Sequence, residues 1–151
     1  MSANLLRLIP TDPGIVPGEN ARRVAFALFR ATVPRAHKVR EKIFEEVTFV
    51  DQGGNFESVS CPHCRKPLDT PTWQDLMDSC RETRFGKLDV TMPCCGRRSS
   101  LNDLDYYFPA GFARYCLEAR NPYLSEFLAP EIVQSIEQAL GCKLRQIFAH
   151  Y

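Results

Sequence analysis

Cys61-Pro-His-Cys64 and Pro93-Cys94-Cys95-Gly96 decide how this chain is read, because together they supply the two halves of a four-thiolate metal site. Zinc in a structural site is satisfied by four cysteine sulfurs in a tetrahedron, so two short turns offering a pair each complete it. Such a site is closed and leaves no open position for catalysis. In the first turn the Cys-Pro-x-Cys spacing lets both sulfurs and the backbone amides curl around one ion, and Pro62 stiffens the bend. The second turn departs from the usual pattern. A Cys-x-x-Cys-Gly turn ending at Cys95 and Gly96 would place its first cysteine where Met92 stands, so the ligand is expected to be displaced to Cys94. The expected ligands are Cys61, Cys64, Cys94 and Cys95, with His63 and Cys80 in reserve. Cys80 also reads as core, since Trp73, Leu76, Met77 and Cys80 recur at i, i+3, i+4 and i+7, the spacing of a helix's buried face. His63, inside its turn, is expected to face solvent or to hydrogen-bond a neighbour.

The segment from about Cys61 to Leu101 resembles the zinc-ribbon proteins, in which two such turns on neighbouring β-hairpins clamp one zinc. The resemblance implies one structural zinc per chain and says little about function. Arg65 stands where that class often has glycine, and a helix is inserted between the turns. The chain as a whole looks like a small bacterial protein. Seven cysteines could instead be reduced core residues or form disulfides. The odd number, and an opening Met1-Ser-Ala-Asn-Leu-Leu-Arg without the apolar run of a secretion signal, point to free thiols and a cytoplasmic setting. No apolar stretch approaches the length of a membrane span.

With 151 residues, 44% of them hydrophobic, the chain can bury a core without help, so zinc would stabilise one lobe rather than the whole fold. The expected organisation is a single α+β domain over 1–151 with a zinc-ribbon insertion at about 61–101. Leu5 to Pro10 reads as a short strand closed by the turn residues Thr11-Asp-Pro-Gly14. A helix is predicted from Asn20 to Thr32, burying Ala21, Val24, Ala25, Leu28 and Thr32 and ended by Pro34. Ile43 to Val50 and Asn55 to Ser60 read as a hairpin through Asp51-Gln-Gly-Gly54 that delivers the chain into Cys61. Thr72, with Asp75 three residues on, is the expected cap of the next helix. Leu88 to Met92 alternates as a strand, and Leu101 to Phe108 and Phe112 to Ala119 read as extended, the latter with Ala113, Tyr115, Leu117 and Ala119 on one side. Pro130 opens a helix buried through Ile132, Val133, Ile136, Ala139 and Leu140, Gly141 stops it, and a strand follows from Cys142 to Ala149. Both ends thus read strand, helix, strand, which predicts a ferredoxin-like (split βαβ) sheet interrupted by the ribbon.

The function classes narrow by elimination. The chain has no Gly-rich phosphate loop, no serine nucleophile elbow and no His-Glu-x-x-His helix. The best catalytic suggestion is Cys116 with His150 as nucleophile and base, against the plainer reading of a core cysteine and a frayed terminal histidine. No small-molecule substrate is inferred. A net charge of +1 lacks the excess common in nucleic-acid binders. Locally, however, Arg35, His37, Lys38, Arg40 and Lys42 cluster, and Arg97 and Arg98 decorate the second turn. A solvated helix face accounts for the first cluster equally well, so Arg97 and Arg98 carry the nucleic-acid alternative. The preferred expectation is a protein partner, met through Asp103, Asp105, Tyr106, Tyr107 and Phe108, where acids lie beside aromatics. One concrete version is an immunity protein that plugs a basic cleft in a bacterial toxin; another is an adaptor within a larger complex.

Overall fold

The computed structural model describes residues 2–151. In chain order it contains β1 (Asn4–Pro10), α1 (Glu19–Thr32), β2 (Lys38–Val50), β3 (Ser58–Ser60), β4 (Pro67–Leu68), α2 (Thr70–Arg81), β5 (Asp89–Thr91) and β6 (Arg98–Ser100). A single 3-10 turn over Leu101–Asp103 leads to β7 (Asp105–Tyr107), β8 (Gly111–Arg120), α3 (Pro130–Leu140) and β9 (Leu144–His150). The class is mixed α+β with antiparallel sheets, as expected. Strands β2, β8, β1 and β9 form, in that order, a four-stranded antiparallel sheet. No helix among the described residues is long and apolar enough to cross a membrane.

Strand alternation sorts the sheet's side chains into two layers. Leu6 and Leu8 of β1 with Tyr115, Leu117 and Ala119 of β8 pack under Ala25 and Phe29 of α1 and Val133, Ile136 and Leu140 of α3. Helix α3 runs as the sequence predicts, from Pro130 to a left-handed Gly141 at φ 78°, whose N–H donates to the Glu137 carbonyl. On the opposite face Ile9, Val50, Cys116 and Ile147 form a smaller apolar layer. Ala113, expected in line with Tyr115, packs with this second group instead.

Further local expectations are corrected. The buried face of α1 is turned from the predicted one: Val24 and Leu28 are exposed, while Ala25 and Phe29 are buried and Phe26 packs beside them. Two aromatic rings remove more apolar surface than Val24 and Leu28 would, and they set the phase. The cap of α2 is Asp69, whose carboxylate accepts from the Thr72 N–H at 2.8 Å. Receiving that bond keeps the Asp69 carboxyl below its ordinary value.

Another correction concerns the hairpin, which does not form. β2 pairs with β8, and β3 leaves to pair with β4 and β7. The connecting segment is held by the C-terminal strand: the Gly54 N–H donates to the His150 carbonyl at 2.7 Å, and buried Gln52 donates to the Phe108 carbonyl at 3.0 Å. Gly53 adopts φ 57°, and a Cβ there would lie 2.3 Å from the His150 carbonyl oxygen, so only glycine allows this approach.

Between β2 and β8 the chain builds a second lobe with its own core, in which Val59, Met77, Cys80, Val90, Met92, Leu101, Tyr106 and Phe112 are buried around Trp73 and Phe49. The stretch from Leu101 is not one strand, because Asn102 turns inward. Its Nδ2 donates to the Thr11 carbonyl at 2.8 Å, and its Oδ1 accepts from the Phe112 N–H at 2.9 Å. Arg145 of β9 donates to the carbonyls of Asn102 and Ala110, both at 2.9 Å. This buried amide therefore joins the second lobe to β1, β8 and β9.

Candidate metal centre

Each cysteine turn is shaped by a pair of backbone hydrogen bonds, and the two pairs match. In the first, the Cys61 N–H donates to the Lys66 carbonyl and the Arg65 N–H returns to the Cys61 carbonyl, at 2.9 and 3.0 Å. In the second, the Met92 N–H donates to the Arg97 carbonyl and the Gly96 N–H to the Met92 carbonyl, both at 2.8 Å. Arg65 and Gly96 occupy the same left-handed conformation, at φ 66° and 73°. The turns are thus equivalent, with Met92 at the place of Cys61, Cys95 at that of Cys64, and Cys94 at that of His63. Met92 is fully buried in the lobe core. The second turn has kept its backbone and shifted one sulfur two residues along, to a place that also points inward.

The result is a cluster in which the sulfurs of Cys61, Cys64, Cys94 and Cys95 all lie within 4.8 Å of one another. Cys61 and Cys95 approach to 3.8 Å, Cys64 and Cys94 to 3.3 Å. Four thiolates bonded to one zinc stand about 3.8 Å apart, given a Zn–S length of about 2.3 Å, so the donor set fits such an ion. All seven cysteines are free thiols. Cys61 is buried, Cys94 partly buried, and Cys64 and Cys95 reach the surface. Burial opposes charge on Cys61, but hydrogen bonds from the Cys64 and His63 amides prevail and draw its thiol down to about 6. Cys94, bonded to Cys64 and beside the other sulfurs, is pushed up to about 12. Four sulfurs this close could hold a metal ion.

The reserves take other roles. Cys80 is buried in the lobe core, and burial pushes its thiol up. The His63 Nε2 sits 3.0 Å from the Arg98 carbonyl, tying the first turn to β6. Cys116 is buried on β8 with its thiol pushed up to about 12 by burial, and its Sγ–H donates to the Leu117 carbonyl. His150 is not frayed: its Nδ1 lies 2.8 Å from Asn4 Oδ1 and its N–H donates to the Gln52 carbonyl. Cysteine and histidine thus have separate partners.

The residues expected to meet a partner divide. Asp103, Asp105 and Tyr107 are exposed and Phe108 is half-buried, with the Tyr107 and Phe108 rings edge to face at 5.2 Å. Tyr106 belongs to the core instead, its hydroxyl donating to the Leu101 carbonyl at 2.7 Å. On β7 alternation points Tyr106 inward and its neighbours outward. Arg97 and Arg98 are both exposed.

The basic cluster at 38–42 is a strand, not a helix face. Lys42 and Arg40 of β2, with Arg7 of β1, converge on Glu118 of β8, which is only 2% exposed. The i, i+2 spacing of Lys38, Arg40 and Lys42 was the available signal, while Glu118 itself gives none. Comparison with protein-family models, curated proteins and solved structures found no match.

Proposed function

We propose that this chain is a zinc-stapled, non-catalytic binding protein of the cytoplasm, with Cys61, Cys64, Cys94 and Cys95 holding one structural zinc. The single observation that carries the zinc reading is the mutual approach of four sulfurs on two equivalent turns. A complete thiolate set leaves no vacant coordination position, which favours a structural ion over a catalytic one. We read the second lobe as a zinc ribbon with a helix between its turns. The sheet reads as the ferredoxin-like arrangement, on the ground that each strand–helix–strand unit is split by a strand of the other: β8 separates β1 from β2, and β1 separates β8 from β9.

The partner in this reading is a protein. Tyr107 is 59% exposed beside Phe108, with Asp103 and Asp105 on either side of buried Leu104. An aromatic anchor among acids suits a basic surface containing an apolar pocket, such as the cleft of a toxin. Tyr107 rather than Tyr106 is the residue to test.

Elemental analysis of protein purified without added metal is expected to find one zinc per chain, with four thiols becoming reactive on chelation. Absence of metal, with thiol reactivity unchanged by chelation, would remove the zinc reading. Copurification is expected to recover a stoichiometric protein partner that Tyr107→Ala releases without lowering the zinc content. Unchanged affinity in that variant would remove this surface.

A further inference from the structure

The face of the sheet turned away from α1 and α3 carries charges that the fold itself does not balance. Arg7, Lys38, Arg40, Lys42 and Arg120 gather there around Glu118 and Asp51. Glu118 accepts from Arg7 Nε at 3.0 Å, from Arg40 Nη2 at 2.8 Å and from Lys42 Nζ at 3.1 Å. One carboxylate thus organises three cations. Beyond them, the register sets Lys38 of β2 directly opposite Arg120 of β8. Like charges facing each other across a ladder are unfavourable, and neither residue makes an ion pair among the described residues. Local choices that conflict with the fold concentrate at functional or strained sites.

That place is a cavity. Lys38, Arg40, Arg120, Glu118, Leu5 and Tyr151 line a space of ≈ 280 Å³, and a second space of ≈ 190 Å³ lies on the far side of Glu118 and Tyr151, beside Arg7 and Lys42. Tyr151 stands between the two and is half exposed. Its ring is held under the Arg7 guanidinium, 5.5 Å from the centroid, and its hydroxyl bonds Arg7 and Asp51. The ring is therefore fixed in position with aromatic surface still open to solvent.

We propose that this face binds single-stranded nucleic acid, with Lys38, Arg40 and Arg120 taking backbone phosphates and Tyr151 stacking a base. Alternate residues of a strand advance about 6.7 Å, a step comparable with successive phosphates on an extended polynucleotide. A ring fixed among cations suits bases whose faces are free, and a duplex keeps those faces stacked inside. Arg97 and Arg98, on the other lobe, take no part, and the inference depends neither on the zinc nor on the Tyr107 surface.

The test is fluorescence anisotropy of a labelled single-stranded oligonucleotide with the full, metal-loaded chain across a salt series. Lys38→Ala with Arg120→Ala is expected to weaken binding at least about tenfold and to flatten the log–log salt slope by about 1.4, at about 0.7 per phosphate contact. Tyr151→Leu is expected to weaken binding about fivefold or more, while Tyr151→Phe, which keeps the ring, retains most of it. Arg97→Ala with Arg98→Ala should leave affinity unchanged. The melting temperature of the Lys38→Ala, Arg120→Ala variant should equal or exceed that of the parent, because the variant relieves a repulsion. Four results would overturn the proposal: no binding at low salt, equal binding by the double variant, loss through Arg97 and Arg98 alone, or preference for a duplex or for anionic vesicles.

Discussion

The strands of the sheet lobe run from seven to thirteen residues, whereas none in the cysteine lobe exceeds three. Long strands with two helices across them bury a continuous layer and secure their own register through the alternation of Leu6, Leu8, Tyr115 and Leu117. Strands of two or three residues make too few ladder bonds to stand alone, and the lobe packs around Trp73, Tyr106 and Phe112 and gathers four sulfurs between its two turns. Under the zinc reading, one lobe is held by area and the other by a clamp. The buried amide of Asn102 is one of the links between them, beside the Arg145 bonds to the Asn102 and Ala110 carbonyls and the Gln52 bond to the Phe108 carbonyl.

Metal removal is expected to separate the two lobes most strongly. Under the zinc reading, chelation should cost the cysteine lobe about 10 kcal/mol of folding free energy, the scale of a structural zinc site. Hydrogen exchange is expected to show β3 to β7 losing protection while β1, β8 and β9 keep theirs; loss throughout the chain would mean the lobes fold as one. Phe29→Ala is the converse experiment. It should cost about 3–5 kcal/mol in denaturant unfolding and leave metal content untouched.

Asn102→Ala strands the Thr11 carbonyl and the Phe112 N–H, and should cost about 1–3 kcal/mol. Its diagnostic result is a separation of one unfolding transition into two by calorimetry. Glu118 links stability to pH in the sheet lobe alone. Burial pushes its carboxyl upward, yet hydrogen bonds from Arg7, Lys42 and Arg40 prevail and hold it below the ordinary value. The native state therefore binds this proton less readily than the unfolded chain. The stabilisation is complete above the unfolded carboxylate value of about 4.3 and is lost as pH falls through the folded one. Glu118→Gln should flatten the acid limb of a stability–pH curve, and an unchanged limb would remove Glu118 as its source. Arg65→Gly is the mildest change. Relief of a positive φ at the first turn should raise the lobe's stability by about 0.5–1 kcal/mol, read by local hydrogen exchange.

What the sequence made legible follows the same division. Short-range signals carried well: the gathering of the Cys61, Cys64, Cys94 and Cys95 sulfurs, Pro130 and Gly141 at the ends of α3, and the strand–helix–strand order at both ends of the chain. Contacts between distant residues did not. The pairing of β2 with β8 spans the whole cysteine lobe, and Asp51-Gln-Gly-Gly54 resembles a hairpin turn until β9 is present to bind it. The phase of α1 was obscured because apolar residues lie on more than one side, and only the packed sheet selects Phe29. Tyr106 and Tyr107 are indistinguishable as letters until β7 acquires a partner. Glu118 is an ordinary acid in the sequence and becomes an organising charge only when β1 and β2 flank its strand.

β2 has one further consequence, for the behaviour of the protein at high concentration. It is an outer strand of thirteen residues, and among the described residues no other strand pairs with its outer side. An edge that long is a template for another chain, and proteins blunt such edges with charge and irregularity. Here Lys38, Arg40 and Lys42 alternate with Glu41, and a register break between Ile43 and Thr48 bends the strand where Glu45 and Glu46 are exposed. The same lysines and arginines that face the cavity thus guard the sheet against self-association.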